Sequence, residues 1–277
     1  MARRIFDVHT HVWPDKVASS AVAYLQAKSH NLPVFSDGTA GGLRERALEA
    51  GYTGWLNCPV VTRPGQSRGV NEKAAKANVW PSLSLGGVHP EDEDVVGELQ
   101  RLVDLGLLGL KLHPEYQSFS PLEARMEPVW DWCESHRLPV LFHAGNDVGF
   151  EPPYHSRPAD FAELRRRHPE MVIICAHMGG WLAWDEFERD LMGRDVLIDT
   201  SFSAPYMRDQ PGRFERLIRG HGVGRVLYGT DSPWQALTTG VADIEALTLS
   251  DEDKDRILWG NAARVFGLEA RLPATQP

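Results

Sequence analysis

The string Asp7-Val8-His9-Thr10-His11 sets two imidazoles two residues apart within an apolar, β-type run. Side chains alternate along a strand, so His9 and His11 share a face and can grip one metal ion, with Asp7 on the same side. Four more histidines stand at the ends of similar runs: His89 in GVHP, His113 in GLKLHP, His143 in LFHAG and His177 in CAHMGG. The GLKLHP run also carries Lys111, and the series closes at Asp231 in YGTDSP. Imidazoles and a carboxylate suit zinc, iron, manganese or cobalt. With three or four such ligands and one open position, a cation lowers the pKa of a bound water toward ~7 and makes a nucleophile at neutral pH. A purely structural reading of His9, His11, His143, His177 and Asp231 would bury five polar side chains together with no ion to satisfy them, which is costly.

Strand ends converge only in certain folds. Apolar β-type runs recur at Ile5–His9, Gly54–Val61, Ser82–Val88, Leu107–Leu112, Pro139–His143, Val172–Ala176, Val196–Asp199 and Val226–Tyr228, with helical patterns of about ten residues between them. Eight such units predict an α/β fold of the (β/α)8 TIM-barrel kind, whose strand C-termini gather the active-site residues on one rim. An open doubly wound sheet gives no reason for ligands on the first, fifth, sixth and eighth strands to meet. The expected organisation is a single domain over residues 1–270 with a flexible tail, 271–277. An extra helix at Val17–Ala27 and the loose stretch Asn31–Gly42 read as a lid or rim. The connection Gly145–Pro158 is a second long loop of the kind that often carries function.

Composition removes several alternatives. A net charge of −9 disfavours a nucleic-acid partner, which needs clustered Lys and Arg. No run is long and apolar enough to span a membrane, and the short stretch before the first strand leads us to expect no secretory signal. Cys58, Cys133 and Cys175 are odd in number and lie in apolar contexts, which predicts reduced core thiols and a cytoplasmic location. The expected partners are a small-molecule substrate and, at most, further copies of the chain in a homo-oligomer.

With DVHTH, CAHMGG, YGTDSP and the closing ILWGNAARVFGL, nearly the whole chain resembles the amidohydrolase superfamily, in the "amidohydrolase 2" branch of small lactonases and decarboxylases. The resemblance implies that His9, His11 and Asp231 hold a catalytic divalent metal, zinc first, with His143 and His177 as the fifth- and sixth-strand histidines. The K-L-H-P string around Lys111 is similar to the K-L-Y-P around the carboxylated bridging lysine of dihydroorotases. A carboxylated Lys111 implies two ions, the second held by His143 and His177. A free Lys111 implies one ion, with His143 as fourth ligand, His177 available to orient water or polarise a carbonyl, and the lysine as a cationic hook for substrate. One ion is favoured.

His89 reads as a loop-carbonyl partner, and His113 equally as that or as a substrate contact. His136, His168 and His221 fall in turns on the opposite, stabilising rim. Asp7 is a candidate buttress for a ligand imidazole. Trp13, Tyr116, Gln117, His155, Arg157, Phe202 and Trp234 follow strand ends, and His113, Arg157, Trp13 and Tyr116 are taken as substrate-binding candidates, Arg157 for a carboxylate. The leading expectation is a metal-dependent hydrolase of a lactone, ester or amide, with Asp231 as general base and His177 assisting. The alternative is a metal-dependent, non-oxidative decarboxylase in which His177 handles protons. A phosphodiesterase or nuclease comes third, since the strand-four glutamate of that group is replaced by the Lys111 segment. A purely structural metal site would need closed coordination.

Overall fold

The computed structural model describes residues 3–273. Its barrel strands are β1 Phe6–Thr10, β2 Gly54–Asn57, β3 Ser82–Ser84 continued by Gly86–Gly87, β4 Leu110–Leu112, β5 Val140–Phe142, β6 Ile173–Cys175, β7 Leu197–Asp199 and β8 Val226–Leu227. All pair in parallel in chain order. Short, almost wholly buried runs suit strands covered on both faces. β3 breaks at Leu85, whose N–H returns to Asn57 O while the N–H of Gly86 crosses to Gly109 O. Gly86 is required there, because a Cβ would stand 2.4 Å from Leu102 Cδ1 and 2.9 Å from Asn71 Oδ1. The first and last strands are sewn together by Val8 N–H to Tyr228 O (2.9 Å), Asp231 N–H to His9 O (2.8 Å) and His11 N–H to Ser232 O (2.7 Å), which closes the cylinder. The expected (β/α)8 barrel is therefore the fold.

Two apolar layers hold it. Phe6, Val8, Leu56, Leu85, Leu141, Ile174 and Leu227 fill the inside, and Trp259 and Phe266 from the C-terminal helical region pack with them. Leu102, Trp130, Phe142, Phe161, Phe187 and Leu217 form the layer between strands and outer helices. Each fully buried Leu or Phe is worth about 1.5–3 kcal/mol over an exposed one. Leu110 and Leu112 belong to the outer layer, so alternation turns Lys111, between them, toward the barrel interior.

Helix α1, Asp15–Lys28, follows β1 as expected and lies over the C-terminal rim. The loose stretch after it is shorter than expected, because a helix starts at Ala40 with Thr39 Oγ1 accepting the Gly42 N–H. The expected tail begins within a short 3-10 turn, Leu268–Arg271, and residues 274–277 lie outside the described ones. Cys58, Cys133 and Cys175 are buried free thiols. Among the described residues, no helix is long and apolar enough to cross a membrane.

Candidate active site

β1 does not alternate strictly. Phe6 and Val8 belong to the inner layer and Ile5 to the outer, yet the His9 ring, next to Val8, meets Asp199 and Lys111 at the barrel mouth. The register of β1 against β2 shifts between Asp7 and Thr10, and a bulge of this kind re-aims a side chain. His9 and His11 do converge, Nε2 to Nε2, at 3.2 Å. Asp7 does not join them. Its Oδ1 accepts the N–H groups of His9 (2.9 Å) and Thr230 (3.1 Å), and its Oδ2 accepts the Thr230 hydroxyl (2.6 Å). Burial pushes the Asp7 carboxyl up to about 7 against those bonds.

The buttress of the His9 imidazole is Asp199, at the end of β7. Its Oδ2 accepts the His9 Nδ1–H at 2.9 Å, and its Oδ1 accepts the N–H groups of His177 (2.9 Å) and Ser201 (3.0 Å). With its proton on Nδ1, His9 presents a bare Nε2, which lies 3.1 Å from Lys111 Nζ and 3.4 Å from Asp231 Oδ1. His11 Nε2 lies 3.1 Å from the same oxygen. His143 Nε2 donates to Asn146 O at 3.0 Å, so its Nδ1 carries a lone pair. His177 Nδ1 faces Ser201 O at 3.2 Å and Ser201 Oγ at 2.9 Å, and a carbonyl only accepts, so His177 Nε2 is bare as well. His143 Nδ1 and His177 Nε2 then face each other at 3.1 Å, lone pair to lone pair. Such a pair needs a cation or a proton between the nitrogens.

The electrostatics agree. Burial keeps the imidazole of His9 well below its usual range, lowers that of His143 and takes His177 down to about 4, so the rings are neutral donors at pH 7. Burial alone would raise Asp231, but His9 and His11 outweigh it and hold the carboxyl far below the normal range. Burial lowers Lys111, which is only 1% exposed and has no carboxylate within ion-pair distance among the described residues. Neutral imidazoles with inward lone pairs around one carboxylate form a donor set that fits a divalent cation. His177 and Asp231 also take left-handed backbone conformations, φ +59° and +60°, which are uncommon for non-glycine residues.

The cluster floors a cleft of about 620 Å³, within the size range of small-molecule sites. Trp13, Tyr116 and His113 line it, as do Phe202 and Trp234. His113 stacks on His143 at 4.2 Å and pairs with Asp147, Nε2 to Oδ2, at 3.3 Å. Burial takes its ring down to about 3. Arg157 is not brought to the cleft: its guanidinium lies outside, on Glu186 at 3.1 Å. Gln117 is structural, with its amide donating to Val61 O and Val88 O, and His155 is held by Glu115. His89 and Asp92 cap a turn through the 89 N–H. His221 sits on the opposite side in the helix end Arg213–His221, bonded to Val196 O. Sequence reasoning missed Asp199 and Ser201, which hold the imidazoles, and Asp147, Lys28, Arg63 and Trp181, which line the cleft. For Asp199 a signal existed, its place at the end of β7, the same address as the candidate ligands.

Comparisons with known proteins correct the chemistry. A family model described as amidohydrolase matches residues 6–268. The γ-resorcylate decarboxylase of Polaromonas sp. (strain JS666) is 24% identical over 268 residues, covering 77% of this chain and 82% of its own. The 5-carboxyvanillate decarboxylase of Sphingomonas paucimobilis superposes with a TM-score of 0.70 at 18% identity, over 96% of this chain and 99% of its own. A dihydroxybenzoic acid decarboxylase from Polaromonas sp. JS666, solved with manganese and 2-nitroresorcinol, superposes with a TM-score of 0.68 at 17% identity, over 97% and 98%. These relatives are decarboxylases, and that overturns the expectation of a lactone, ester or amide hydrolase. The ligand types were common to both reactions and could not separate them. The chain belongs to the amidohydrolase superfamily, in its amidohydrolase-2 branch.

Proposed function

We propose that the protein is a metal-dependent, non-oxidative decarboxylase of a small aromatic carboxylic acid. The observation that carries this reading is Lys111, a buried amine on the cleft floor that has, among the described residues, no carboxylate partner and one hydrogen-bond partner, His9 Nε2. When His9 Nε2 is occupied as a ligand, Lys111 is left for a substrate carboxylate.

His9, His11 and Asp231 would hold the ion, with His143 Nδ1 as fourth donor. Bound there, a divalent cation supplies positive charge that anchors substrate oxygens and steadies charge developing on the ring. Lys111 holds the departing carboxylate, and Trp13, Trp181 and Phe202 offer flat apolar surface to the ring and keep water off it. The bare Nε2 of His177, aimed into the cluster because Ser201 fixes Nδ1, takes up a proton from the bound substrate or water and holds it over the ring. As the bond from ring carbon to carboxyl carbon breaks, its electron pair takes that proton and carbon dioxide leaves. The donor set admits zinc, as expected from the sequence, and equally the manganese found with solved relatives. One ion with an uncarboxylated Lys111 is the arrangement proposed.

The test is purified protein, loaded separately with zinc and with manganese, against hydroxybenzoates, lactones, esters and amides. Carbon dioxide release from a hydroxybenzoate with no ester or lactone cleavage is expected. Cleavage without carbon dioxide release would overturn the reading.

A further inference from the structure

α1 ends at Lys28, and that side chain crosses the cleft. Its ammonium lies 3.5 Å from the centre of the Phe150 ring and 4.5 Å from that of Tyr116. The two rings meet edge to face at 4.9 Å and 90°. Tyr116 follows β4, Phe150 lies in the connection after β5, and Lys28 comes from the segment after β1, so three loops of the rim meet at one cation. All three residues line the cleft. No carboxylate lies within ion-pair distance of Lys28 among the described residues, so the rings are its partners.

The Phe150 segment is shaped for this contact. Asp147 Oδ1 accepts the Gly149 N–H at 2.7 Å, and Asp147 O accepts the Phe150 N–H at 3.1 Å, which turns the chain back toward α1. A Cβ on Gly149 would stand 3.2 Å from both Cγ and Cε of Lys28, so the glycine leaves room for the lysine stem. The other oxygen of Asp147 holds His113, which stacks on His143. The turn that receives Lys28 is thus the turn that ties the rim to the floor of the cleft.

We propose that Lys28 is the latch of a two-part lid: its ammonium on the Phe150 and Tyr116 rings holds α1 against the Gly145–Pro158 connection across the cleft, and release of that contact opens the way to the floor. The latch is independent of which reaction the floor performs. A cation–π contact of this kind, part-exposed, shifts an opening equilibrium by about 2- to 30-fold.

Hydrogen exchange of the full-length protein, read by mass spectrometry, tests it. In Lys28→Met, which keeps the stem and removes the charge, peptides over 25–32 and 146–154 should exchange faster together, by about 2- to 30-fold. Lys28→Arg, which keeps a cation over the rings, should stay within about twofold of the parent. Phe150→Leu should reproduce the Lys28→Met effect, and the double variant should add nothing to it. Unchanged exchange in Lys28→Met overturns the latch. So does an equal rise in Lys28→Arg, because then the charge is not what holds the lid.

Discussion

Asp199→Asn is the sharpest test of how the floor of the cleft is held. The substitution keeps size and shape, removes the negative charge and replaces one acceptor oxygen by an NH2 donor. In the parent, Oδ1 accepts two backbone N–H groups, from His177 and Ser201, and Oδ2 accepts the His9 Nδ1–H. An asparagine has one acceptor oxygen, and the two backbone donors claim it, since turning the amide over would set N–H against N–H. The NH2 then points at His9 Nδ1, and the ring can meet it only by moving its own proton to Nε2. That nitrogen is the one aimed at His11 and Asp231, so the ligand lone pair is lost. Removing such a supporting partner typically costs 10- to 100-fold in metal affinity, about 1.4–2.8 kcal/mol. Competition with a chromophoric chelator measures that affinity, and elemental analysis of the purified variant gives its occupancy. Added metal should restore much of the activity of Asp199→Asn at saturation, and Ser201→Ala, which removes only a hydroxyl, should lose less. An Asp199→Asn protein that binds metal within about twofold of the parent would refute the tautomer argument.

Replacing His9, His11 or Asp231 by Ala should strip the metal while the barrel survives, checked by elemental analysis beside circular dichroism; full occupancy would remove that residue from the ligand set. Lys111→Met should leave about one ion per chain and raise KM for a carboxylate substrate by tenfold or more, whereas a fall from two ions would reveal a bridging carbamate instead. Gly145→Ala should destabilise by several kcal/mol in denaturant melts, because Gly145 sits at φ +90° and a Cβ would stand 2.2 Å from Trp181 N, leaving only backbone to move. His221 should make stability depend on pH: burial takes its ring down to about 4, against about 6.5 in the unfolded chain, with Nε2–H on Val196 O and Nδ1 accepting from Gly193 N. Its contribution, about 3 kcal/mol, is fully present above pH ~6.5 and is lost as pH falls toward ~4. Melts of the parent and His221→Gln should therefore converge in that interval, and parallel curves would contradict it.

The sequence displays the barrel clearly because each strand is a short apolar run bounded by polar or glycine-rich turns, and the fold then dictates where strand ends go. The convergence of His9, His11, His143, His177 and Asp231 follows from that address alone. What stayed hidden depends on pairing across the fold. Asp199 lies in a plain Asp-Thr-Ser string, and nothing local says that its carboxylate meets a ring 190 positions away. The bulge after Val8 overrides strict alternation, which is why Asp7 looked like a partner of the imidazoles and is not one. Arg157 looked free because Glu186, its partner, comes from another segment. The reaction was beyond the ligands, since imidazoles and a carboxylate around a cation serve water attack and carboxyl loss alike.

The seam between β1 and β8 is also where His9, His11 and Asp231 stand, within hydrogen-bonding reach of one another across the chain's two ends. An ion bound there acts as a staple as well as a reagent. It joins residues more than two hundred positions apart, and in the chain-entropy picture a permanent cross-link over such a loop is worth about 5 kcal/mol. Chelation would then do more than silence the enzyme: the joint between start and finish would be left to its backbone hydrogen bonds alone.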